Sequence, residues 1–341
     1  MFDTKGSARD VLCEYDLDIN LFKIFDLHVY DVFPVRKAFI LSTDKGNKIL
    51  KKINYPVEEL NFINNALEYV NRSFNRTIGY VKTKDNKAYT LWENNVYFVM
   101  DLLEGRESEY SNPVDLKIAT ESLAEFHNAG EGIVSYVNYE SRNNCGKLIE
   151  SLKRRKEEMK FFKNIANWYE DKSDFDFDFL KNVDYNIEMA QRSIDELEKS
   201  KYYKLCSEED KVVLCHHDLA HHNLIINRNK AYLIDFDYCM IDLKVHDLCN
   251  FITKAIKNFA YDVDRARAIL DDYEKINPLD KRELQVLYAM LLFPEDFYSI
   301  SKDYYTKRKS WTLDTFLNRL EKKLDFREEK EEFLIKFKEK I

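Results

Sequence analysis

Five of the seven histidines in this chain fall between residues 212 and 248, in the stretch VVLCHHDLAHHNLIINRNKAYLIDFDYCMIDLKVHDL. Within it, His216-His217-Asp218-Leu219-Ala220-His221-His222-Asn223 sets out a histidine, a carboxylate and an amide in the spacing H-x-D-x-x-x-x-N. Asp235-Phe236-Asp237 follows the apolar run Tyr232-Leu233-Ile234. Two chemistries could use these residues. Phosphoryl transfer needs a carboxylate to accept a hydroxyl proton, and hard oxygen donors to hold Mg²⁺ against the phosphates of ATP. Asp218 suits the first task, and Asn223 and Asp235 suit the second. A transition-metal phosphohydrolase would instead use His217 and Asp218 with His221 or His222, all carried on helices. Leu224-Ile225-Ile226 and Tyr232-Leu233-Ile234 flank the polar turn Asn227-Arg228-Asn229-Lys230, which is a hairpin pattern and disfavours that alternative. The plainest reading of any one of these residues is that it caps or braces a buried hairpin. Phosphoryl transfer does not call for His221 or His222, which read as packing or solvent-facing side chains.

Nucleotide phosphates also need a cation. Along Lys48 to Ile53, the two-residue period of a strand puts Ile49, Lys51 and Ile53 on one face. A lone lysine on an apolar face must find an anion or reach past its neighbours to water. Lys51 is therefore the candidate phosphate ligand, and Lys52 points to the solvated side. Its expected carboxylate partner is Glu58 or Glu59 on the next helix, with Glu59 preferred. A solvent-exposed strand-end lysine is the alternative.

The elements that must position these groups divide the chain. Residues 25 to 105 read as strand-rich. Phe39-Ile40-Leu41 and Ile49-Leu50 surround the turn Asp44-Lys45-Gly46-Asn47, and Tyr89 to Trp92 and Tyr97 to Leu103 form a hairpin around Asn94-Asn95. Between them, Leu60, Ile63, Leu67 and Val70 mark one face of a helix over 57–70, with Pro56 at its start. Gly105 punctuates the chain, which suggests lobes of 1–105 and 106–341. No proline lies between Pro113 and Pro278 and no glycine follows Gly146, so long helices are expected near 113–129, 146–170 and 176–200, with more beyond 244. Val212-Val213-Leu214 and the hairpin interrupt this helical half. The tail from Asp325 to Lys340 mixes both charge signs and reads as a solvated closing helix.

Composition narrows the classes further. The chain has 341 residues, 45% of them hydrophobic, which is ample for a large core. Its seven glycines are placed so that neither G-x-G-x-x-G nor G-x-x-x-x-G-K-[ST] occurs, which excludes a Rossmann fingerprint and a P-loop. A net charge of −8 argues against a nucleic-acid or anionic-membrane partner. Met1 to Val11 lacks an apolar core, so the expectation is cytoplasmic synthesis without a signal peptide, and no apolar run is long enough to span a membrane. Six cysteines without a C-x-x-C pair read as reduced thiols. The 22 tyrosines and 23 phenylalanines read first as core packing, and otherwise as material for interfaces.

Together with the helix bearing Leu123-Ala124-Glu125-Phe126-His127 and the Asp101-Leu102-Leu103-Glu104-Gly105 segment, the catalytic block resembles the aminoglycoside phosphotransferase and choline kinase superfamily. More narrowly, Leu50-Lys51-Lys52, Glu104-Gly105-Arg106, Leu214-Cys215-His216-His217-Asp218, Ile234-Asp235-Phe236-Asp237, Asp247-Leu248, Leu292-Phe293-Pro294 and Tyr304-Tyr305 with Trp311 resemble the CotS-type spore coat proteins. The resemblance runs from about residue 10 to about residue 335. It implies an α+β, bilobal, protein kinase-like fold with a small β-rich N-lobe and a large helical C-lobe. It also implies Asp218 as catalytic base, Asn223 and Asp235 as Mg²⁺ ligands, Lys51 as phosphate-binding lysine, and the backbone of Asp101 to Leu103 as the adenine-binding hinge. Asp242 and Asp247 match positions that brace the catalytic loop. Two departures stand out. The nucleotide-covering segment Val32-Phe33-Pro34-Val35-Arg36-Lys37 has no glycine, leaving Arg36 and Lys37 to supply charge. Asp237 stands where protein kinases carry the glycine of D-F-G, which points to the small-molecule branch. Implied partners are other spore coat proteins and a hydroxyl-bearing acceptor of unknown identity. A catalytically silent coat scaffold and an antibiotic phosphotransferase are the alternatives; in the latter, Asp237, Asp242, Glu295 and Asp296 would attract a polycation.

Overall fold

A computed structural model describes residues 17–35 and 38–339. Alternating burial builds the first lobe. Strands β1 (Val29–Val35), β2 (Ala38–Thr43), β3 (Lys48–Ile53), β4 (Thr90–Trp92) and β5 (Asn95–Asp101) form an antiparallel sheet in the order β1-β2-β3-β5-β4. Tyr97 and Val99 of β5 turn to one side, where they meet Leu41, Leu50, and Leu21 and Phe22 of helix α1 (Ile19–Ile24). Phe98 turns to the other side and packs with Ile53 and Leu60. The β4–β5 connection places Glu93 and Asn94 in the left-handed region (φ 46° and 64°), the backbone of a tight two-residue hairpin.

Helix α2 (Val57–Val70) occupies the span its periodicity predicts, and Leu60, Ile63, Leu67 and Val70 are all buried. Leu60 lies under the sheet, whereas Ile63, Leu67 and Val70 join the core of the second lobe. One helix thus couples the two cores.

The second lobe begins with the short strand β6 (Arg106–Glu107) and three long helices, α3 (Pro113–Ala129), α4 (Leu148–Trp168) and α5 (Asp174–Lys199). Their ends follow from capping. Asn112 caps α3 with Pro113 in its first turn, and Ser173 with Asp176 forms a reciprocal capping box on α5. After the short α6 (Tyr202–Leu205), strand β7 (Val212–Cys215) leads into the histidine-rich segment from His216 to Asn223, and β8 (Leu224–Asn227) with β9 (Lys230–Leu233) forms the expected hairpin. The chain closes with α7 (Lys244–Ile256), α8 (Val263–Glu274), α9 (Lys281–Leu292), α10 (Glu295–Tyr305), α11 (Leu313–Leu324) and α12 (Arg327–Lys338). The architecture is the bilobal α+β arrangement expected, with a small sheet and a large helical lobe.

Three expectations change or sharpen. The sequence reading missed strand β10 (Met240–Leu243), which returns along β7 in antiparallel register. The tail is not merely solvated, because α12 buries Phe333, Leu334 and Phe337 against the core. Much of the aromatic load is packing: Phe175 stacks on Tyr304 with ring centres 3.9 Å apart, and Phe179, Tyr305 and Phe316 surround the pair. Cys145, Cys206, Cys215, Cys239 and Cys249 are free thiols. Among the described residues, no helix is long and apolar enough to cross a membrane. Met1 to Val11, Cys13, Arg36 and Lys37 lie outside the described residues.

Candidate active site

The loop from His216 to Asn223 is held by one buried carboxylate. Asp247, in the first turn of α7, accepts the backbone N–H groups of His216 (2.5 Å) and His217 (2.8 Å). This bracing supports a left-handed residue at His217, whose φ is 62°. His127 donates through Nε2 to the same carboxylate at 3.3 Å and accepts the Tyr273 hydroxyl on Nδ1 at 2.6 Å. Burial opposes the charge of Asp247, but the His127 bond and the fields of His127, His217 and His216 outweigh it and hold the carboxyl well below its usual range.

His216 ties the loop to the strand that delivers Asp235. Its Nε2–H donates to the Ile234 carbonyl at 2.8 Å, and its Nδ1 accepts the Asp218 N–H at 3.2 Å. Burial depresses its pKa and keeps the ring neutral, as an accepting Nδ1 requires. Beside it, His217 lies 3.2 Å and His246 2.7 Å from an oxygen of Asp242, which also accepts from Asn144 at 2.7 Å. Burial lowers the His217 pKa, but Asp242 more than compensates and raises it. His221 is exposed and His222 half-buried.

Asp218 is bound on two sides. The Lys254 ammonium lies 2.8 Å from Oδ1, and the Asn223 amide donates to Oδ2 at 3.2 Å and to the Asp218 carbonyl at 2.9 Å. Burial raises the Asp218 pKa, yet the Lys254 bond and charge overcome that effect and bring it below the ordinary value. A carboxylate can only accept, so the Asn223 amide nitrogen must face it. The Asn223 side-chain oxygen has no partner among the described residues and is free to meet a cation. The Ile234 N–H donates to the Asn223 carbonyl at 3.0 Å, which seats Asn223 next to the segment carrying Asp235.

Lys51 reaches across from β3. Its Nζ lies 2.7 Å from Asp235 Oδ1 and 2.6 Å from Asp237 Oδ2, and Tyr55 donates to the other Asp237 oxygen at 3.2 Å. Asp235 itself is left-handed at φ 63°. Such backbone strain costs about 1–3 kcal/mol and persists where surrounding contacts over-determine it. Burial weakens the lysine's hold on its proton, but the two aspartates reverse this and raise its pKa. The expected pairing with α2 does not form. Glu59 instead meets Arg142 at 2.5 Å, and the same guanidinium donates to the carbonyls of Asp237 (2.5 Å) and Cys239 (3.2 Å). Lys51 therefore takes its anions from the second lobe, because Asp237 supplies a carboxylate where a glycine would leave none.

The hinge segment adjoins β3 through β5, where Asp101 pairs in register with Lys48. The Asp101 carboxylate binds the Lys48 ammonium, and the Leu102 N–H donates to the Asn47 carbonyl at 3.0 Å. Leu103 has neither its N–H nor its C=O paired among the described residues. Gly105 follows at φ 154°, and a Cβ there would stand 2.5 Å from Ile225 Cγ2 and 2.7 Å from the Ile226 carbonyl oxygen. Only glycine lets the segment pass this close to the β8–β9 hairpin.

The structure thus joins Lys51 to Asp235 and Asn223 to Asp218, with the Ile234–Asn223 backbone bond between the two pairs and Asp101 and Leu103 along the adjoining strand end. It does not bring Glu59 to Lys51. Sequence reasoning missed Lys254 and Arg142. Lys254 stands seven residues after Asp247, two helical turns on the same face of α7, and that spacing is the one signal that could have found it. Arg142 has no local signature. The four acids expected to attract a polycation are already engaged: Asp237 by Lys51, Asp242 by His217 and His246, Glu295 by Arg155, and Asp296 by Lys323. A cavity of about 370 Å³ beside the His216–Asn223 loop is walled by His217, Lys254, Lys257, Asp296 and Lys330 among others. A larger concavity of about 610 Å³ at Arg76, Glu125 and Lys230 contains none of the motif residues.

Residues 18–337 match a family model described as "Spore coat putative kinase YutH". Spore coat protein S of Bacillus subtilis (strain 168) is 25% identical over 307 residues, covering 89% of this chain and 87% of that protein. Among solved structures, an aminoglycoside phosphotransferase from Alicyclobacillus acidocaldarius superposes with a TM-score of 0.83 at 17% identity, over 95% of this chain and 96% of that one. The amicoumacin kinase hAmiN, in complex with AMP-PNP, Ca²⁺ and Ami, superposes with a TM-score of 0.60 at 15% identity, over 96% of each chain.

Proposed function

Because the chain belongs to the YutH family of kinase-like spore coat proteins, we propose that it is a coat-deposited, Mg²⁺- and ATP-dependent phosphotransferase acting on a small hydroxyl-bearing acceptor. The observation that carries this reading is the joint placement of Asp218, Asn223, Asp235 and Lys51. Asp235 and Asp237 already share one cation, the Lys51 ammonium, at 2.7 and 2.6 Å. Two carboxylates converging on a positive charge beside a free amide oxygen form a hard-oxygen donor set, which suits Mg²⁺. Asp235 and Asn223 would hold the metal, Lys51 the phosphates, and the free backbone groups of Leu103 the adenine edge.

Bound Mg²⁺-ATP would supply the γ-phosphoryl group, which the acceptor oxygen takes as the bond to ADP breaks and the acceptor's proton passes to Asp218. The chain's own work is positional. Asn223 orients the Asp218 carboxylate, and Lys254 keeps it ionised and able to accept a proton. Asp247 and His216 hold the loop in register with Asp235. Arg142 braces the Asp237 and Cys239 carbonyls and ties α2 to the second lobe. We place the lobe division at Gly105, where the hinge meets the hairpin. Asp218→Asn is expected to lower acceptor-dependent ATP turnover by about 100-fold or more; unchanged turnover would rule out this base.

The coat location, and with it assembly among other coat proteins, is proposed from the resemblance to Spore coat protein S. One surface supports it. Phe161, Trp168, Tyr169 and Phe177 are exposed around the α4–α5 turn, with Trp168 85% accessible. Exposed aromatic side chains are enriched at association surfaces.

A further inference from the structure

Resting on the phosphotransferase reading, we propose that the cavity beside Asp218 receives an anionic hydroxyl compound of single-sugar size, a sugar acid or sugar phosphate, and rejects polycationic amino sugars. Its location makes it the acceptor pocket. Lys254 lines the cavity and also touches Asp218, and the wall includes His217, the neighbour of the proposed base. A volume of about 370 Å³ suits a ligand of that size.

The charge inventory sets the ligand class. Arg155, Lys254, Lys257 and Lys330 stand on the wall against only Glu295 and Asp296. Arg155 is taken by Glu295, and Lys254 by Asp218. Asp296 is shared between Lys323 at 2.8 Å and Lys257 at 3.6 Å. Lys330 has no ion-pair or hydrogen-bond partner for its ammonium among the described residues; its Nζ lies 5.8 Å from the centre of the Tyr261 ring. Three carboxylates therefore serve five cations around this cavity. Burial weakens the charged form of Lys330 by more than the fields of Asp296 and Glu295 support it, and its pKa is lowered.

A cation in a cavity wall with no directly paired anion is only partly compensated, and a ligand carboxylate or phosphate would relieve that cost. A polycation would meet like charge from Lys330 and Lys257. A neutral group on the wall adds to the picture. The Asn250 side-chain oxygen is buried there without a hydrogen-bond partner and can accept a ligand hydroxyl. The histidines do not alter the balance, because His217 and His246 both face Asp242.

The test is calorimetric titration of the full chain, without nucleotide, using glucuronate, glucose 6-phosphate, glucosamine and kanamycin. Binding by glucuronate or glucose 6-phosphate, and by neither amine, is the expected result, and the stronger of the two distinguishes a carboxylate from a phosphate ligand. Lys330→Met and Lys257→Met should each weaken that binding by about tenfold or more, with Lys330→Arg retaining it. Binding of Mg²⁺-AMP-PNP serves as the control and should be unchanged in all three. The proposal is overturned if the amines bind and the anions do not, if neither class binds, or if anion affinity ignores both methionine variants. Loss of nucleotide binding with intact anion binding would instead sink the phosphotransferase reading and leave the anion pocket standing.

Discussion

At the scale of single residues, the site works by setting which groups are charged. Asp218 is partly buried, which by itself would push its proton affinity up, and Lys254 reverses that push. A base whose pKa lies below the ordinary carboxylate value is ionised throughout the neutral range, and it loses that form only as pH falls through the lowered value. Removing the lysine removes the correction. In Lys254→Met, the acidic limb of the kcat/KM profile should move to higher pH, with Lys254→Arg restoring it. A profile that stays in place would show that Lys254 only packs. Burial acts in the other direction on His216 in the same loop, lowering its pKa and favouring the neutral ring that accepts the Asp218 N–H.

Elements carry the positions of these residues, and here local sequence signals vary in reach. The span of α2, the three long helices and the β8–β9 hairpin were legible because periodicity, capping residues and the absence of proline and glycine are local signals. The H-x-D-x-x-x-x-N spacing was legible for the same reason. The Lys51 partners were not, since Asp235 lies 184 residues away and competes with a glutamate only eight residues along. Burial along α12 was masked by its many charges, although Phe333, Leu334 and Phe337 fall on one face. Gly105 is where an element-level prediction is sharpest. A methyl group there collides with both Ile225 and Ile226 of β8. Gly105→Ala should destabilise the fold by about 2–3 kcal/mol, read as a lower midpoint in denaturant at unchanged slope. A midpoint equal to the parent's would mean that the hinge and hairpin separate without cost.

For the whole molecule, the two lobes are joined by a few charged contacts over a shared helix. Lys51 spans from the sheet to Asp235 and Asp237, and Arg142 spans back to Glu59 on α2. The nucleotide would enter where these contacts lie, so ligand binding and lobe closure draw on the same residues. The proposed coat assembly would use a different part of the surface. Trp168→Ala with Phe177→Ala should leave the folded protein and its nucleotide affinity intact while reducing its incorporation into the spore coat, measured by fractionation of purified spores. Full incorporation of the double variant would move the assembly surface elsewhere.

The central claim is that Asp235 and Lys51 form a Mg²⁺-nucleotide site, and a thermal-shift titration with Mg²⁺-ATP tests it most directly. Ligand at about 100 times its dissociation constant stabilises a fold by about 2.7 kcal/mol, a shift that is readily measured. The predicted result is a Mg²⁺-dependent rise in Tm that disappears in Asp235→Ala and in Lys51→Ala. No rise at millimolar Mg²⁺-ATP, or a rise that both variants retain, would contradict the account.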